Sequence, residues 1–115
     1  MKYLVGSEND IKNNFITSFM ISGSNYVAYC HRKCIYIFNA KCPHANGDLR
    51  QATYEGIYIK CPSHGLRFNL STGEVDTNEI TDDFKKSIIS RGIDSYTLKL
   101  ITYEKINGMI YVDMD

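Results

Sequence analysis

The sequence predicts an all-β fold of antiparallel strands with one short helix. The chain has 115 residues with no internal repeat and no linker, so we expect a single domain over residues 1–115. Its 9 tyrosines, 5 phenylalanines and many isoleucines favour strands over helices. Short apolar segments alternate with turn residues, and the Asn107–Gly108 pair between the last two segments is typical of a hairpin.

The charge and the hydropathy exclude several classes of partner. The 13 basic and 13 acidic residues cancel, which argues against nucleic acid or an anionic membrane as the main partner. No apolar run reaches the roughly 18 residues that a membrane span needs, and the N-terminal segment turns polar too early for a signal peptide. We therefore expect a soluble, monomeric, cytoplasmic protein, in which cysteines are more often ligands or free thiols than disulfides.

The predicted strands follow one another along most of the chain. Residues 2–5 form a short first strand, and a polar segment follows it. Gly23 and Asn25 supply a turn between the next two strands. Residues 71–73 supply a tight turn within the strand predicted at residues 66–75. The strands after the first are predicted at residues 15–22, 25–29, 34–39, 55–61, 66–75, 95–106 and 108–115.

Residues 77–92 have a different, helical period. Ile80, Phe84 and Ile88 stand four residues apart, which places them on one face of a helix. Two aspartates fall in the predicted first turn and basic residues fall later, as the helix dipole favours. Gly92 is a suitable stop. The helix is therefore predicted as an insertion among the strands.

Two short clips carry the side chains that suggest chemistry. The first is Cys42-x-His44, and after 16 residues the second is Cys61-x-x-His64. Thiolates and imidazoles suit zinc or iron rather than calcium or magnesium. A proline follows each cysteine and stiffens the backbone beside it. The two clips therefore predict one metal site built from two loops.

Two metal groups fit these four side chains. A single zinc would take all four in a closed tetrahedron, whereas a 2Fe–2S cluster would take the cysteines on one iron and the histidines on the other. Zinc sites with this ligand set usually pair Cys with Cys and His with His in sequence, but each clip here mixes the two types. The spacing of the four ligands favours a 2Fe–2S cluster, and a single zinc stays an alternative.

The pattern C-P-H-x₁₆-C-P-S-H-G resembles the ligand motif of Rieske 2Fe–2S proteins. The resemblance extends past the second clip, where Phe68 and the turn at residues 71–73 match the family's aromatic residue and its Thr-Gly turn. It covers residues 2–75, with a cluster-binding subdomain at about residues 40–75. It implies the Rieske iron–sulfur fold, a β-sandwich with two cluster-binding loops.

The same resemblance implies the ligands of a single Rieske-type 2Fe–2S cluster. Cys42 and Cys61 would bind one iron, and His44 and His64 would bind the other. Two ferric ions, two sulfides and two thiolates sum to zero charge, so adding an electron is easier than for an all-cysteine cluster. Rieske centres accordingly span about −150 to +300 mV.

This chain lacks several side chains that the family's respiratory branch has near the cluster. Their absence predicts a reduction potential at the low end of that range. The disulfide between the two loops of that branch would fall at Gly47 and Ser63, so it cannot form here. The hydroxyl groups that donate hydrogen bonds to sulfur in that branch would fall at Leu66 and Phe68, which have none. Fewer donors to sulfur leave the reduced, more negative state less stable.

The resemblance also implies the function. No substrate pocket, mononuclear iron site or flavin motif is evident, so we expect an electron-transfer protein and not an enzyme. It would carry single electrons from a reductase to an oxygenase or another terminal oxidoreductase. One alternative is a small subunit of a larger oxidoreductase, similar to nitrite reductase small subunits. A zinc-stabilised binding module is the other.

Three further features leave alternatives open. Cys30 and Cys34 flank His31 at a predicted hairpin tip and are expected to be free thiols, with a disulfide or a second metal site as alternatives. Arg50 and Arg67 lie near the clips and are either ordinary solvated residues or docking groups. Rieske domains commonly cover the cluster with a proline-containing loop that this chain lacks, so the helix at residues 77–92 is a cover, a docking insertion or a purely stabilising element.

Overall fold

The protein is described by a computed structural model, which covers residues 1–14, 16–41, 47–62, 67–74 and 98–114. These residues form antiparallel strands with little helix, which confirms the predicted fold class. The strands are β1 (Lys2–Ser7), β2 (Ile16–Ile21), β3 (Ser24–His31), β4 (Cys34–Asn39), β5 (Thr53–Glu55), β6 (Tyr58–Lys60), β7 (Arg67–Asn69), β8 (Tyr103–Ile106) and β9 (Met109–Asp113). A short helix α1 (Glu8–Asn13) and a 3₁₀ helix (Leu49–Gln51) complete this set.

The chain forms two compact units. The first comprises Met1–Ala40 with Leu100–Asp115, and the second comprises Lys41–Lys99. The first unit contains two three-stranded sheets, with strand orders β1-β9-β8 and β2-β3-β4, and the second contains the sheet β5-β6-β7. The single domain expected from the sequence stays a prediction.

Three tight turns define the hairpins of the first unit. Each has two consecutive residues with positive φ: Ser22–Gly23, Arg32–Lys33 and Asn107–Gly108. Two such residues in a row form the type I′ turn, whose twist matches that of the flanking strands. The predicted hairpins at the Cys30–Cys34 tip and at Asn107–Gly108 are thus confirmed.

The core of the first unit joins both of its sheets to helix α1. The sequence analysis assigned no element to the polar segment after β1, but Ser7 caps a helix there by accepting a 3.1 Å hydrogen bond from the Asp10 amide. The helix buries Ile11 to 1% exposure. The buried members of this core are Ile11, Ile21, Ala28, Ile35, Ile37, Ile110 and Val112.

In the second unit, the strand β6 lies between β5 and β7. Ile59 and Phe68 are paired across β6 and β7 and fully buried, while their neighbours on the strands point to the other face. After β7 the chain turns at residues 70–73, where the Gly73 amide donates a 2.6 Å hydrogen bond to the Asn69 carbonyl. The tight turn predicted at residues 71–73 is therefore confirmed.

Several predictions fall outside the described residues or differ from them. The predicted helix at residues 77–92 lies outside the described residues. The strand predicted at residues 95–106 is described only from residue 98, and this part is a regular strand from Tyr103, with an isolated bridge between Leu100 and Phe38 before it. Among the described residues, no helix has both the length and the apolar character required to cross a membrane.

Candidate metal centre

The first clip is flanked in the chain by two paired residues of the second unit. Lys41 and Asp48 form an antiparallel bridge on either side of it, and Gly47 beside Asp48 is buried. The bridge brings together the two ends of the loop that carries Cys42 and His44. Residues 42–46 themselves lie outside the described residues, so the positions of these two predicted ligands stay a prediction.

Asp48 then anchors the chain that leaves the first clip. Its carboxylate caps the 3₁₀ helix by accepting a 2.9 Å hydrogen bond from the Arg50 amide, and the Arg50 Nη2 atom donates another at 2.8 Å. The hydrogen bonds from the Arg50 side chain lower the pKa of Asp48, because they favour the charged carboxylate. Arg50 is thus an ion-paired residue that helps to fix the loop, and not simply a solvated one.

The second clip lies in the chain between the paired strands β6 and β7. Lys60 and Arg67 are directly opposite each other as its last pair, so the loop between them has its ends held together by the sheet. Cys61 follows β6 immediately, and it is a free thiol exposed to only 1%. His64 and its neighbours at residues 63–66 lie outside the described residues.

The chemistry of Cys61 fits a metal ligand. A buried thiol that has no disulfide partner is a soft donor shielded from water, as a thiolate-bound iron or zinc requires. The residues on either side of each clip are also paired with each other, so the two ends of each clip-bearing segment lie close together. The convergence of Cys61 with Cys42, His44 and His64 stays a prediction.

The thiols of the β3–β4 hairpin are free, as predicted. Cys34 pairs with His31 and Cys30 pairs with Ile35, so the two thiols lie on opposite faces of the sheet, an arrangement that disfavours a disulfide. No group of three or more His, Cys, Asp or Glu side chains could hold a metal within the part of the chain that the structure describes. Nothing in this hairpin therefore supports a second metal site.

His31 and its neighbours form an aromatic cluster instead. The His31 ring stacks on Tyr29 at 6.4 Å between centroids, and Tyr29 stacks on Tyr36 at the same distance. Burial raises the pKa of Tyr36, and the nearby Cys34 raises it further. His31 is half-buried at the end of β3 and not a freely exposed turn residue, since the turn itself is Arg32–Lys33.

Comparison with known proteins decides the family. The family model of the Rieske [2Fe-2S] domain matches residues 1–97, which is most of the chain. The chain belongs to the Rieske family. The cofactor of this family is a 2Fe–2S cluster, so the resemblance and the cofactor inferred from the two clips are confirmed.

Proteins similar to this Rieske protein include ferredoxins of dioxygenase systems. It is 27% identical, over 67% of its own length and 74% of the relative's, to the ferredoxin component of the naphthalene 1,2-dioxygenase/salicylate 5-hydroxylase systems of Ralstonia sp. Its fold resembles the ferredoxin of carbazole 1,9a-dioxygenase from Nocardioides aromaticivorans IC177, with a TM-score of 0.72, 18% identity and coverage of 97% and 96% of the two chains.

A second similar structure contains two proteins. It is a complex of reduced oxygenase and oxidised ferredoxin in carbazole 1,9a-dioxygenase, with a TM-score of 0.71 and 22% identity. The match covers 96% of the Rieske protein described here and 91% of the matched chain. These likenesses establish the fold and agree with the predicted Rieske iron–sulfur architecture.

The sequence prediction missed the residues that support the clips. The pairing of Lys41 with Asp48 and of Lys60 with Arg67 depends on strand register, which no short motif records. The hydrogen bond from the Tyr54 hydroxyl to the Leu49 carbonyl was also missed. The position of a tyrosine on a three-residue strand does not predict which backbone carbonyl accepts the hydrogen bond from its hydroxyl.

Proposed function

We propose that this Rieske-domain protein is a one-electron carrier that delivers electrons from a reductase to an oxygenase or another terminal oxidoreductase. The observation that carries the proposal is the match to ferredoxins over nearly their whole length, together with membership of the Rieske family. The Ralstonia relative is named as a ferredoxin component of dioxygenase systems, which supports a carrier and not a catalyst. A cytoplasmic location is part of the same proposal.

The cluster ligands are part of the proposal. Cys42 and Cys61 would bind one iron through sulfur, and His44 and His64 would bind the other through their imidazoles. When bound, the 2Fe–2S cluster supplies a centre that takes up and releases one electron. The buried Cys61 at the end of β6 supports this assignment, because its sulfur is shielded from water on a regular hairpin.

Residues near each of the two clips support a low reduction potential. Phe68 is fully buried within β7 and has no hydroxyl to donate to sulfur. Gly47, at the position of the loop disulfide in the respiratory branch, cannot form that bond. Both features leave the reduced state with fewer stabilising interactions than in that branch.

The partner is proposed to be a protein. The solved complex between an oxygenase and a ferredoxin of carbazole 1,9a-dioxygenase has a ferredoxin of the same fold as this chain. A carrier of this size gives its electron to a second protein that performs the chemistry. The second protein, and not this carrier, would therefore determine which substrate is converted.

Metal analysis and EPR spectroscopy test the proposal. Protein purified without oxygen should contain about two irons and two sulfides per chain, and reduction with dithionite should give a rhombic signal of the mixed-ligand type. A redox titration should follow a reversible one-electron curve. A single zinc, or no metal after reconstitution, would overturn the proposal.

A matched pair of serine variants tests whether the Cys61 thiol is a cluster ligand. Cys61→Ser should lose the cluster, because the hydroxyl is a much poorer ligand for iron than a thiolate. Cys34→Ser should keep it, because this exposed thiol lies in the β3–β4 hairpin of the first unit. Equal cluster content in the two variants would show that Cys61 is not a ligand.

A further inference from the structure

The strand β2 forms one edge of the sheet β2-β3-β4 in the first unit. Its residues, Ile16–Ile21, pair with β3 in an unbroken antiparallel register, and they include no charged residue and no proline. Natural sheets usually protect an edge with charged residues, proline or a bulge, because an open edge can pair with a strand of another molecule. The regular, uncharged edge of β2 is therefore suited to the addition of a further strand.

Alternate residues of β2 direct their backbone groups away from β3. The turn at Ser22–Gly23 has two residues, and such a turn closes on a hydrogen-bonded pair, here Ile21 with Ser24. In antiparallel strands, hydrogen-bonded pairs alternate with pairs that exchange no bonds, so every second residue of β2 has its amide and carbonyl on the open side. These outward residues are Ile16, Ser18 and Met20.

The outward side of β2 is accessible. Within the described part of the chain, no residue exchanges a backbone hydrogen bond with Ile16, Ser18 or Met20 on that side. Ser18 is exposed, and Met20 has 66% of its surface exposed. The edge therefore presents hydrogen-bond donors and acceptors together with apolar surface.

The other sheet edges of the first unit are occupied, bulged or charged. At the far side of the same sheet, β4 is bridged at Phe38 by Leu100. In the second sheet, β1 is interrupted by a bulge and β8 carries Glu104 and Lys105. Among the described edges of this unit, β2 thus lacks the features that prevent strands from pairing between molecules.

A second copy of β2 fits this edge when a two-fold axis passes beside Ser18. The axis stands perpendicular to the sheet and makes the two strands antiparallel, so Ser18 lies opposite its own copy. Ile16 then lies opposite Met20 of the second copy, and Thr17 lies opposite Phe19. All the outward backbone groups meet partners in this register. A small side chain lies at the axis, and no like charges are opposed.

We propose that two copies of this chain associate through their β2 edges, with antiparallel pairing centred on Ser18. The pairing joins two three-stranded sheets into one continuous sheet. The inference goes beyond the proposed function and does not depend on it, because it uses none of the proposed cluster ligands. The paired segments are only about 17 Å long, so a weak dimer with a Kd on the order of 100 µM is expected. The monomer expected from the sequence is then the form present in dilute solution.

Analytical ultracentrifugation of the intact protein tests the association. Samples stay anaerobic, so that a disulfide between the exposed Cys34 thiols of two molecules does not form. Between about 10 µM and about 1 mM, the weight-average mass of the wild type should rise from that of a monomer toward that of a dimer. A mass that stays monomeric over this range overturns the proposal.

Charge reversal at the axis tests the register. Ser18→Lys and Ser18→Glu each place like charges opposite each other, so each variant alone should dimerise at least about fivefold more weakly than the wild type at low salt. An equimolar mixture of the two places opposite charges at the axis, so its mixed dimer should form within about threefold of the wild-type affinity.

Ser24→Lys is the control for net charge. Ser24 is an exposed serine of β3 beside the turn, and this variant should dimerise as the wild type does. Circular dichroism checks that every variant is folded. If each Ser18 variant alone dimerises as the wild type does, or if the mixture stays monomeric, pairing through β2 is overturned.

Hydrogen exchange locates the interface in the wild type without any substitution. The outward amides of Ile16, Ser18 and Met20 should exchange at least about threefold more slowly at about 1 mM than in dilute protein, because the dimer adds a hydrogen bond to each. The amide of Phe19, which is already bonded to β3, should change less. Dimerisation that protects β1 or β8 and leaves β2 unchanged would overturn the proposal.

Discussion

The hydroxyl of Tyr54 donates a 2.8 Å hydrogen bond to the backbone carbonyl of Leu49. Leu49 is fully buried at the start of the 3₁₀ helix that follows the first clip, and Tyr54 is the middle residue of β5. The bond therefore connects the segment that follows the first clip to the sheet whose strands β6 and β7 flank the second clip in the chain, within the second unit.

Tyr54→Phe should destabilise the protein by about 1 kcal/mol, because the buried Leu49 carbonyl loses the shorter of its two hydrogen bonds and keeps only the one from the Ala52 amide at 3.2 Å, while the ring volume is nearly kept. Cluster loss on heating should begin at a lower temperature for the same reason. Circular dichroism would follow unfolding, and visible absorption would follow the cluster.

Tyr111→Phe is the matched control for this substitution. Its hydroxyl makes no hydrogen bond within the described part of the chain, so its removal should leave both midpoints unchanged. Equal midpoints for the two variants would show that the Tyr54 hydroxyl does not contribute to stability.

His64→Cys should keep iron but lower the reduction potential, by on the order of 100 mV, since an added thiolate makes the site more negative. His31→Cys, at the histidine stacked on Tyr29, should leave the potential unchanged. Potentials would be measured by voltammetry on samples with a verified EPR signal. A potential that stays constant or rises in His64→Cys contradicts the assignment of this residue as a ligand.

Leu66→Ser should raise the potential by tens of millivolts, because a hydroxyl hydrogen bond to sulfur stabilises the reduced state. Residue 66 lies outside the described residues, so this prediction rests on the sequence alone. Leu4→Ser, at an exposed leucine on β1, is the control and should not change the potential. No shift in Leu66→Ser would mean that the sulfur donor position is wrongly placed.

The ion pair between Asp48 and Arg50 predicts a pH dependence of stability. The pKa of Asp48 is lowered from its ordinary value of 3.8, so the charged carboxylate stabilises the folded state above that value. This contribution is lost as the pH falls through the lowered pKa.

Arg50→Gln should therefore have a Tm a few degrees lower at pH 7, and the difference should shrink as the pH falls below about 4. The effect is small because both side chains are partly exposed, at 41% and 35%. Thermal unfolding of the two proteins across this pH range checks it. A difference that stays constant with pH would show that Arg50 acts through packing instead.

Local chemistry made much of this protein predictable. The Asn107–Gly108 hairpin follows from backbone preference, since few residue pairs adopt two positive φ values in a row. The ligand types and their spacing in the two clips predicted a metal site, because a metal restricts which side chains can bind it, and the resemblance of the clips to the Rieske motif predicted the family and its cofactor. Helix α1 was missed because its six residues bury only Ile11 and leave almost no period to detect.

The amino-acid sequence by itself determined the donor chemistry, the turns and the alternation of strands. Only the tertiary structure decided that Lys60 lies opposite Arg67, that Tyr54 reaches Leu49, and that Cys30 and Cys34 lie on opposite faces of a sheet. Those relationships depend on strand register, and a shift by one residue would exchange the two faces of a strand without changing a single residue. Packing of many side chains fixes the register, so no short stretch of sequence encodes it.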